Sequence, residues 1–182
     1  MSEHRFDAVT VTPNPAIDWT LTVPGFAAGA VNRVAEQRSR AAGKGVNVAA
    51  ALAAYGVRVA ATGFLGDGNA AAFEALFAEA GIADRFVRVP GETRVGIKIV
   101  DPSRQETTDV NFPGLAPTST DVDSLRARIM EMAIGGAWFV LAGSLPPGVE
   151  PAIYRDLAST LKAAGCRVIL DTSGDPLRHA LA

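Results

Sequence analysis

A glycine-rich turn that leads into an alanine-rich stretch carries the residues best suited to bind a small molecule. Gly43 and Gly45 flank Lys44, and glycine lets the backbone take positive φ and lets a ligand approach it closely. Residues 46–54 predict a helix, whose N-terminal N–H groups favour an anion or a hydroxyl-rich group. Lys44 adds a positive charge, and Asn47 adds a donor and an acceptor. The pattern indicates a site for a charged or polyhydroxylated molecule, or alternatively a plain strand-to-helix connection with glycines for close packing.

Three well-known catalytic or nucleotide-binding motifs do not fit the sequence. A Walker A loop needs a glycine where the chain has Arg38 and Ser or Thr where it has Gly45. The glycines of residues 63–68 have the spacing Gly-x-x-Gly-x-Gly, which is not the dinucleotide-binding order. Ser144 is not a hydrolase nucleophile, because alanine and proline stand where the Gly-x-Ser-x-Gly elbow needs glycines.

Further candidate residues follow predicted strands. Residues 6–11 predict a buried strand that ends before two prolines, and loops at the carboxyl ends of such strands are where α/β proteins place their sites. Asn14 and Asp18 lie there, although Asn14 beside prolines is also a common turn former. Arg94 is a candidate on a later strand, with an ordinary exposed strand residue as the alternative. Ser144 follows an apolar strand, with a helix cap near Pro147 as its alternative.

The elements that must position these residues predict an α/β protein. Strand and helix patterns alternate at both ends of the chain, with strands at 6–11, 57–62, 138–142 and 167–170, which predicts a largely parallel sheet covered by helices on both faces. A helix at 119–133, capped by Ser119 or Thr120, belongs to this rhythm. The β-type runs around 16–38, including 31–38, and 93–112 do not, and they predict a separate small sheet that acts as a lid over the strand ends.

Composition excludes several classes of function. The 182-residue chain has a net charge of −2 and no basic run, which gives no electrostatic basis for binding nucleic acid. Cys166 is the one cysteine, so no intramolecular disulfide forms, and we expect this thiol to be buried as a small apolar side chain. Residues 1–5 lack the apolar core of a signal peptide, and no apolar run is long enough to span a membrane. These features predict a cytoplasmic protein.

Several motifs, in order along nearly the whole chain, resemble the ribokinase superfamily, in its phosphofructokinase-B family of sugar and sugar-phosphate kinases. The matching elements are Ala42-Gly43-Lys44-Gly45-x-Asn47-x-Ala49 followed by Gly56 and Gly66, Thr12-x-Asn14-Pro15-Ala16-x-Asp18, Glu92-Thr93-Arg94, and Gly143-Ser144-Leu145-Pro146-Pro147-Gly148. The resemblance implies a three-layer α/β/α sandwich with a β-sheet lid that pairs two subunits as a homodimer.

The resemblance also implies roles for particular residues. Asp18 would accept hydrogen bonds from sugar hydroxyls, and Gly43, Lys44 and Asn47 would cradle the sugar and phosphate. Arg94 on the lid would hold the substrate phosphate, and Ser144 would line the floor of the sugar site; both assignments suit the chemistry of these side chains.

The implied activity is ATP-dependent phosphorylation of a phosphorylated ketohexose, with Mg²⁺ bound to the nucleotide. Fructose 1-phosphate, converted to fructose 1,6-bisphosphate, is the first expectation, with tagatose 6-phosphate or fructose 6-phosphate as the alternatives. The sequence shows no residue set typical of a resident metal, and the resemblance implies that most nucleotide contacts lie outside residues 1–182.

The sequence departs from the family pattern in one respect. The family's second signature, an Asp-Thr-x-Gly-Ala-Gly-Asp loop, supplies the anion hole and the catalytic base, and residues 1–182 do not contain it; residues 171–174, Asp-Thr-Ser-Gly, are not that motif. We therefore expect residues 1–182 to be the amino-terminal part of one ribokinase-like kinase domain, with no catalytic base and the base beyond Ala182. A chain without the base is inactive alone, and a non-catalytic sugar-phosphate-binding module is the alternative from another class.

Overall fold

The structure, a computed structural model, describes residues 6–182, and residues 1–5, for which the sequence predicts no signal-peptide core, lie outside this range. The described chain forms ten strands and five helices. The strands are β1 Ala8–Thr12, β2 Ala16–Thr22, β3 Glu36–Ala42, β4 Val59–Gly66, β5 Ala83–Asp84, β6 Val87–Val89, β7 Val95–Asp101, β8 Glu106–Asn111, β9 Trp138–Ala142 and β10 Arg167–Asp171. The helices are α1 Lys44–Ala54, α2 Ala71–Ala80, α3 Ser119–Glu131, α4 Ile153–Ala163 and α5 Gly174–Leu181.

A parallel sheet in the order β10-β9-β1-β4-β5 forms the centre of the molecule, and β6 pairs with the end of β4. All pairs along it are parallel. The inner strands β1, β4 and β9 are almost wholly buried, as expected for strands covered on both faces. This architecture confirms the predicted α/β class.

Successive side chains of the central strands pack alternately into two separate apolar cores, one on each face of the sheet. Val9 and Val11 of β1 pack with α3 and α4, whereas Ala8 packs with α1 and α2. Successive strand residues point to opposite faces, so the two helix pairs cover the two faces of the sheet, as a three-layer sandwich requires. Cys166 is buried in the first of these cores, as predicted. Among residues 6–182, no helix has the length and apolar character needed to cross a membrane.

A second sheet, in the order β3-β2-β7-β8, forms the predicted lid. β2 is antiparallel to β3 and parallel to β7, and β7 and β8 form an antiparallel hairpin. The pairing register gives the lid two different faces. The row Asp18, Arg40, Gly96 and Asn111 lies on what we call the polar face, and the row Trp19, Ser39, Ile97 and Val110 lies on the opposite, apolar face.

Some sequence predictions need correction. The lid strand expected at 31–38 is found at Glu36–Ala42, and residues 31–35 form an irregular loop in which Val31 is 85% exposed. Thr118, rather than Ser119 or Thr120, caps α3: its side chain accepts the backbone N–H of Asp121, while the Asp121 carboxylate accepts the N–H of Thr118. The helix α5 was not predicted at all.

Candidate functional site

The turn at Gly43 joins the lid to α1 directly against the end of β1. Gly43 has φ of 137°, and a Cβ placed on it would lie 2.9 Å from Cγ2 of Thr12. A Cβ on Gly45 would lie 2.3 Å from Oγ1 of Thr12. Only glycine allows this close approach at both positions. It places the start of α1 at the carboxyl edge of the central sheet, where the helix has no side-chain cap and no acidic residue in its first turn.

Lys44 and Asn47 both lie at this end of α1. The Lys44 ammonium is 2.8 Å from Oδ1 of Asp171, so it bridges α1 to the end of β10. Asn47 donates its backbone N–H to the carbonyl of Gly43, and its side chain is exposed. Uncapped N–H groups, a lysine and an exposed amide are suitable donors for an anion or a set of hydroxyls.

Ser144 lies at the carboxyl end of β9, next to the loop that follows β1. Its Oγ accepts a hydrogen bond of 3.2 Å from Nδ2 of Asn14. The preceding carbonyl, of Gly143, accepts hydrogen bonds from the hydroxyls of Tyr154 and Thr172, at 3.0 and 2.9 Å. Burial and the nearby Asp171 raise the pKa of Tyr154, which keeps its phenol a donor. The alternative role of Ser144 as a cap near Pro147 is wrong, because the next helix, α4, begins at Ile153.

Asp18 and Arg94 come together on the polar face of the lid. Asp18 pairs with Gly96 across β2 and β7, and a Cβ on Gly96 would lie 3.0 Å from Oδ1 of Asp18 and 3.3 Å from Oδ1 of Asn111. Arg94 reaches the same Asn111 Oδ1 with Nη1 at 3.4 Å. The Asp18 carboxylate is 86% buried, so it faces the interior of the site rather than bulk water.

Arg94 makes weak hydrogen bonds for a partly buried cation. Its Nη2 donates to the carbonyl of Asn14 at 3.4 Å, and its Nε is buried without a hydrogen-bond partner among the described residues. Burial lowers the pKa of Arg94, and the Asp18 carboxylate partly offsets this. Hydrogen bonds of 3.4 Å are long for an N–H donor. The guanidinium therefore has donors to spare, and a cavity of about 290 Å³ opens beside it.

The structure thus places Asp18, Arg94 and Ser144 near one loop, with Asn14 linking the last two, and places Gly43, Lys44 and Asn47 at the adjacent helix start. Asn14 was considered mainly as a turn former, but it contacts both Ser144 and Arg94. Lys98 and Asn111 were missed altogether. The signal that could have found Lys98 is the alternation Arg94-x-Gly96-x-Lys98, which puts three non-apolar residues on one face of a strand.

Within residues 6–182, no group of three or more His, Cys, Asp or Glu side chains is placed to hold a metal ion.

Comparison with known proteins decides the family. A family model described as pfkB family carbohydrate kinase matches residues 10–182. The chain belongs to this family. Two curated relatives, both named 1-phosphofructokinase, come from Rhodobacter capsulatus and Xanthomonas campestris. They are 51% and 47% identical to this chain, over 95% and 96% of its length. The chain spans 55% of the length of each relative.

Solved structures support the same assignment. A possible 1-phosphofructokinase of Thermotoga maritima is 30% identical, with a TM-score of 0.83 over 96% of this chain and 56% of its own length. Phosphofructokinase-2 of Escherichia coli, solved in complex with fructose-6-phosphate, is 27% identical, with a TM-score of 0.88 over 97% of this chain and 58% of its own. The chain therefore has the ribokinase-like fold that its motifs implied.

Proposed function

We propose that the protein phosphorylates fructose 1-phosphate at its 6-hydroxyl, using ATP, and forms fructose 1,6-bisphosphate. The observation that carries the proposal is the placement of Asp18 and Arg94 together on the polar face of the lid, where both are partly buried, beside the uncapped start of α1. A carboxylate next to a cation with unused donors is suited to a ligand that has both hydroxyls and a phosphate. The curated relatives named 1-phosphofructokinase support this choice of substrate.

Different site residues bind the hydroxyls and the phosphate of the substrate. Asp18 accepts hydrogen bonds from two sugar hydroxyls, because a carboxylate has several free lone pairs. Arg94 binds the substrate phosphate through its planar guanidinium, which can donate two parallel hydrogen bonds. Gly43, Lys44 and Asn47 supply donors from the start of α1, and Ser144 lines the sugar site from the end of β9.

Phosphoryl transfer depends mainly on positioning and on electrostatic stabilisation of the transferring group. The residues above contribute the positioning of the acceptor sugar. Mg²⁺ enters this proposal bound to the ATP phosphates, as the resemblance to sugar kinases implies and as phosphoryl transfer from ATP usually requires. The resemblance assigns the base to a Gly-Ala-Gly-Asp loop, and we propose that the product of the complete reading frame supplies it. We propose that the protein acts in the cytoplasm.

A coupled assay for ADP release tests the activity. The product of the complete reading frame is assayed with fructose 1-phosphate, tagatose 6-phosphate and fructose 6-phosphate. We expect the highest kcat/KM with fructose 1-phosphate. A higher value for either of the others would assign the protein to the alternative kinases. Failure to turn over ATP with all three would refute the kinase assignment.

A non-catalytic sugar-phosphate-binding module is the second candidate, because the partly buried Asp18 and Arg94 and the uncapped start of α1 could bind a sugar phosphate without any catalytic base. The gene sequence after the codon for Ala182 separates the two. A frame that continues into Gly-Ala-Gly-Asp selects the kinase, and a stop codon selects the module.

We also propose that the intact protein is a homodimer through the apolar face of the lid. Trp19 and Val110 on this face are 38% and 46% exposed, and Ile97 lies between them in the register. A sheet with one uncovered apolar face gains stability by burying that face against a second copy. Sedimentation velocity at micromolar concentration should show a dimer that Trp19→Ala weakens. Trp138→Ala, at a similarly exposed tryptophan outside the lid, should leave it intact. A wild-type monomer would contradict the proposal.

A further inference from the structure

Side chains from three lid strands surround Gly96 on the polar face. Asp18 and Asn111 flank it from β2 and β8, with oxygens 3.0 and 3.3 Å from the position that a Cβ would take. Lys98 lies two residues after Gly96 on β7, and Arg94 lies two residues before Gly96, immediately ahead of the first residue of β7. The carbonyl of Arg94 still accepts the backbone N–H of Ile17, so the alternation of the extended chain places both side chains on the face of Gly96. Arg94 bends towards Asn111, at 3.4 Å, and Lys98 bends towards Asp18, at 3.4 Å between Nζ and Oδ2. Both cations therefore converge over the glycine.

The Lys98 ammonium is not saturated by its neighbours. Its second acidic neighbour, Asp109, is 3.5 Å away, and both distances are long beside the 2.7–2.9 Å typical of charge-assisted hydrogen bonds. Lys44, by contrast, is 2.8 Å from its own carboxylate partner. An ammonium has three donors, and the Lys98 side chain is 37% exposed. A ligand anion can therefore approach Lys98 without first breaking a tight ion pair.

The charges around Gly96 explain why a second cation is useful. Asp18 alone would repel a phosphate placed beside the hydroxyls that it binds, since like charges close together in a poorly solvated site interact strongly. Arg94, Lys98 and Arg40, which pairs with Asp18 across β2 and β3, contribute three positive charges against the two negative charges of Asp18 and Asp109. The net charge around Gly96 is therefore positive, although this region contains the Asp18 carboxylate that accepts hydrogen bonds from sugar hydroxyls.

We propose that Lys98 is a second phosphate-binding cation, which contacts the substrate phosphate together with Arg94 across Gly96. This inference rests on the proposed function of the protein as a sugar-phosphate kinase, and it names a residue that determines the preference for a phosphorylated sugar. The competing role for Lys98 is to neutralise Asp18 without touching the ligand. The two roles differ in what they do to an unphosphorylated sugar.

The test uses the product of the complete reading frame, with dissociation constants measured without ATP from the ligand-induced rise in Tm. The ligands are fructose and whichever of the three sugar phosphates the wild-type protein binds best. Lys98→Gln should weaken the sugar phosphate about tenfold to a hundredfold, the effect of losing one charge-assisted hydrogen bond, and should change fructose binding less than about threefold. Lys98→Arg, which keeps the charge, should recover most of the affinity. Lys162→Gln removes an exposed lysine on α4 and should change neither.

The outcomes separate this inference from the proposed function. Equal weakening of the sugar phosphate and of fructose by Lys98→Gln would mean that Lys98 acts only through Asp18, and would overturn the inference. Unchanged sugar-phosphate binding would also overturn it, with the kinase function intact. A wild-type protein that binds none of the three sugar phosphates would refute the proposed function itself, and the inference with it.

Discussion

Replacement of Arg94 by alanine should separate phosphate recognition from sugar recognition. Among residues 6–182, the guanidinium makes two hydrogen bonds, both of 3.4 Å, so most of its donors remain for a ligand. Two hydrogen bonds from a charged donor contribute about 1.5 kcal/mol each at the lower end of the usual range, the end appropriate to a half-exposed site. Their loss, about 3 kcal/mol, corresponds to roughly a hundredfold in kcat/KM for the phosphorylated ketohexose.

The same substitution should leave the unphosphorylated sugar nearly unaffected, because Asp18 and the start of α1 still bind its hydroxyls. Coupled assays with fructose 1-phosphate and fructose as parallel substrates give the comparison. Arg94→Lys should recover part of the loss, since an ammonium cannot reproduce the two parallel hydrogen bonds. Arg126→Ala, at a partly exposed arginine of α3 that faces Asp156, serves as the matched control.

Protein stability provides an independent check on this prediction. Arg94 carries a buried Nε without a partner among the described residues, and burial of its charge lowers its pKa. Burying an unpaired Nε and a positive charge costs folding free energy, so replacing the arginine removes that cost. We therefore expect the Tm of Arg94→Met to equal or exceed that of the wild type. Loss of activity by the same factor towards both sugars, or a clear drop in Tm, would show that Arg94 shapes the lid and does not read the phosphate.

Three further predictions concern Asp18, Gly45 and Asp101. Asp18→Ala should weaken phosphorylated and unphosphorylated sugars alike, by about tenfold to a hundredfold in titrations without ATP, because its carboxylate reads hydroxyls; an effect confined to one of them would contradict this role. Gly45→Ala should lower the free energy of unfolding in urea by about 1–3 kcal/mol, since its Cβ would lie 2.3 Å from Oγ1 of Thr12. Gly135→Ala is the control, because its added Cβ would make only an ordinary contact, and it should change the free energy of unfolding by less than about 0.5 kcal/mol. If Gly45→Ala and Gly135→Ala changed the free energy of unfolding equally, the close contact at Gly45 would not destabilise the fold. The pKa of Asp101 is lowered, chiefly by the N–H of Gly25, so its ionised form stabilises the fold above the usual Asp pKa of about 4. The Tm deficit of Asp101→Asn should therefore be full above that pH and shrink as pH falls through the lower folded-state pKa, and a deficit independent of pH would contradict it.

The sequence predicts the central sheet well because its signals are strong and local. Residues 138–142 form an unbroken apolar run, which matches the buried strand β9. The lid is harder to predict, since its strands are half exposed and their boundaries depend on pairing with one another. Val31 and Val34 suggested a strand by residue type, yet they are exposed loop residues, and β3 instead begins at Glu36 because its residues pair with β2.

The candidate site shows the same division. Gly43, Lys44 and Asn47 lie in one short motif, so their proximity can be predicted from local sequence. The contacts of Lys98 and Asn111 with the site depend on the register of β7 against β2 and β8, which places Gly96 opposite both Asp18 and Asn111. No short-range pattern encodes that register.

A crystal structure of the product of the complete reading frame with fructose 1-phosphate would test the central claim most directly. We expect the phosphate within hydrogen-bond distance of the Arg94 guanidinium and of Nζ of Lys98, and at least one sugar hydroxyl on the Asp18 carboxylate. A phosphate bound at Lys44 and the start of α1, with the polar face of the lid empty, would contradict the account.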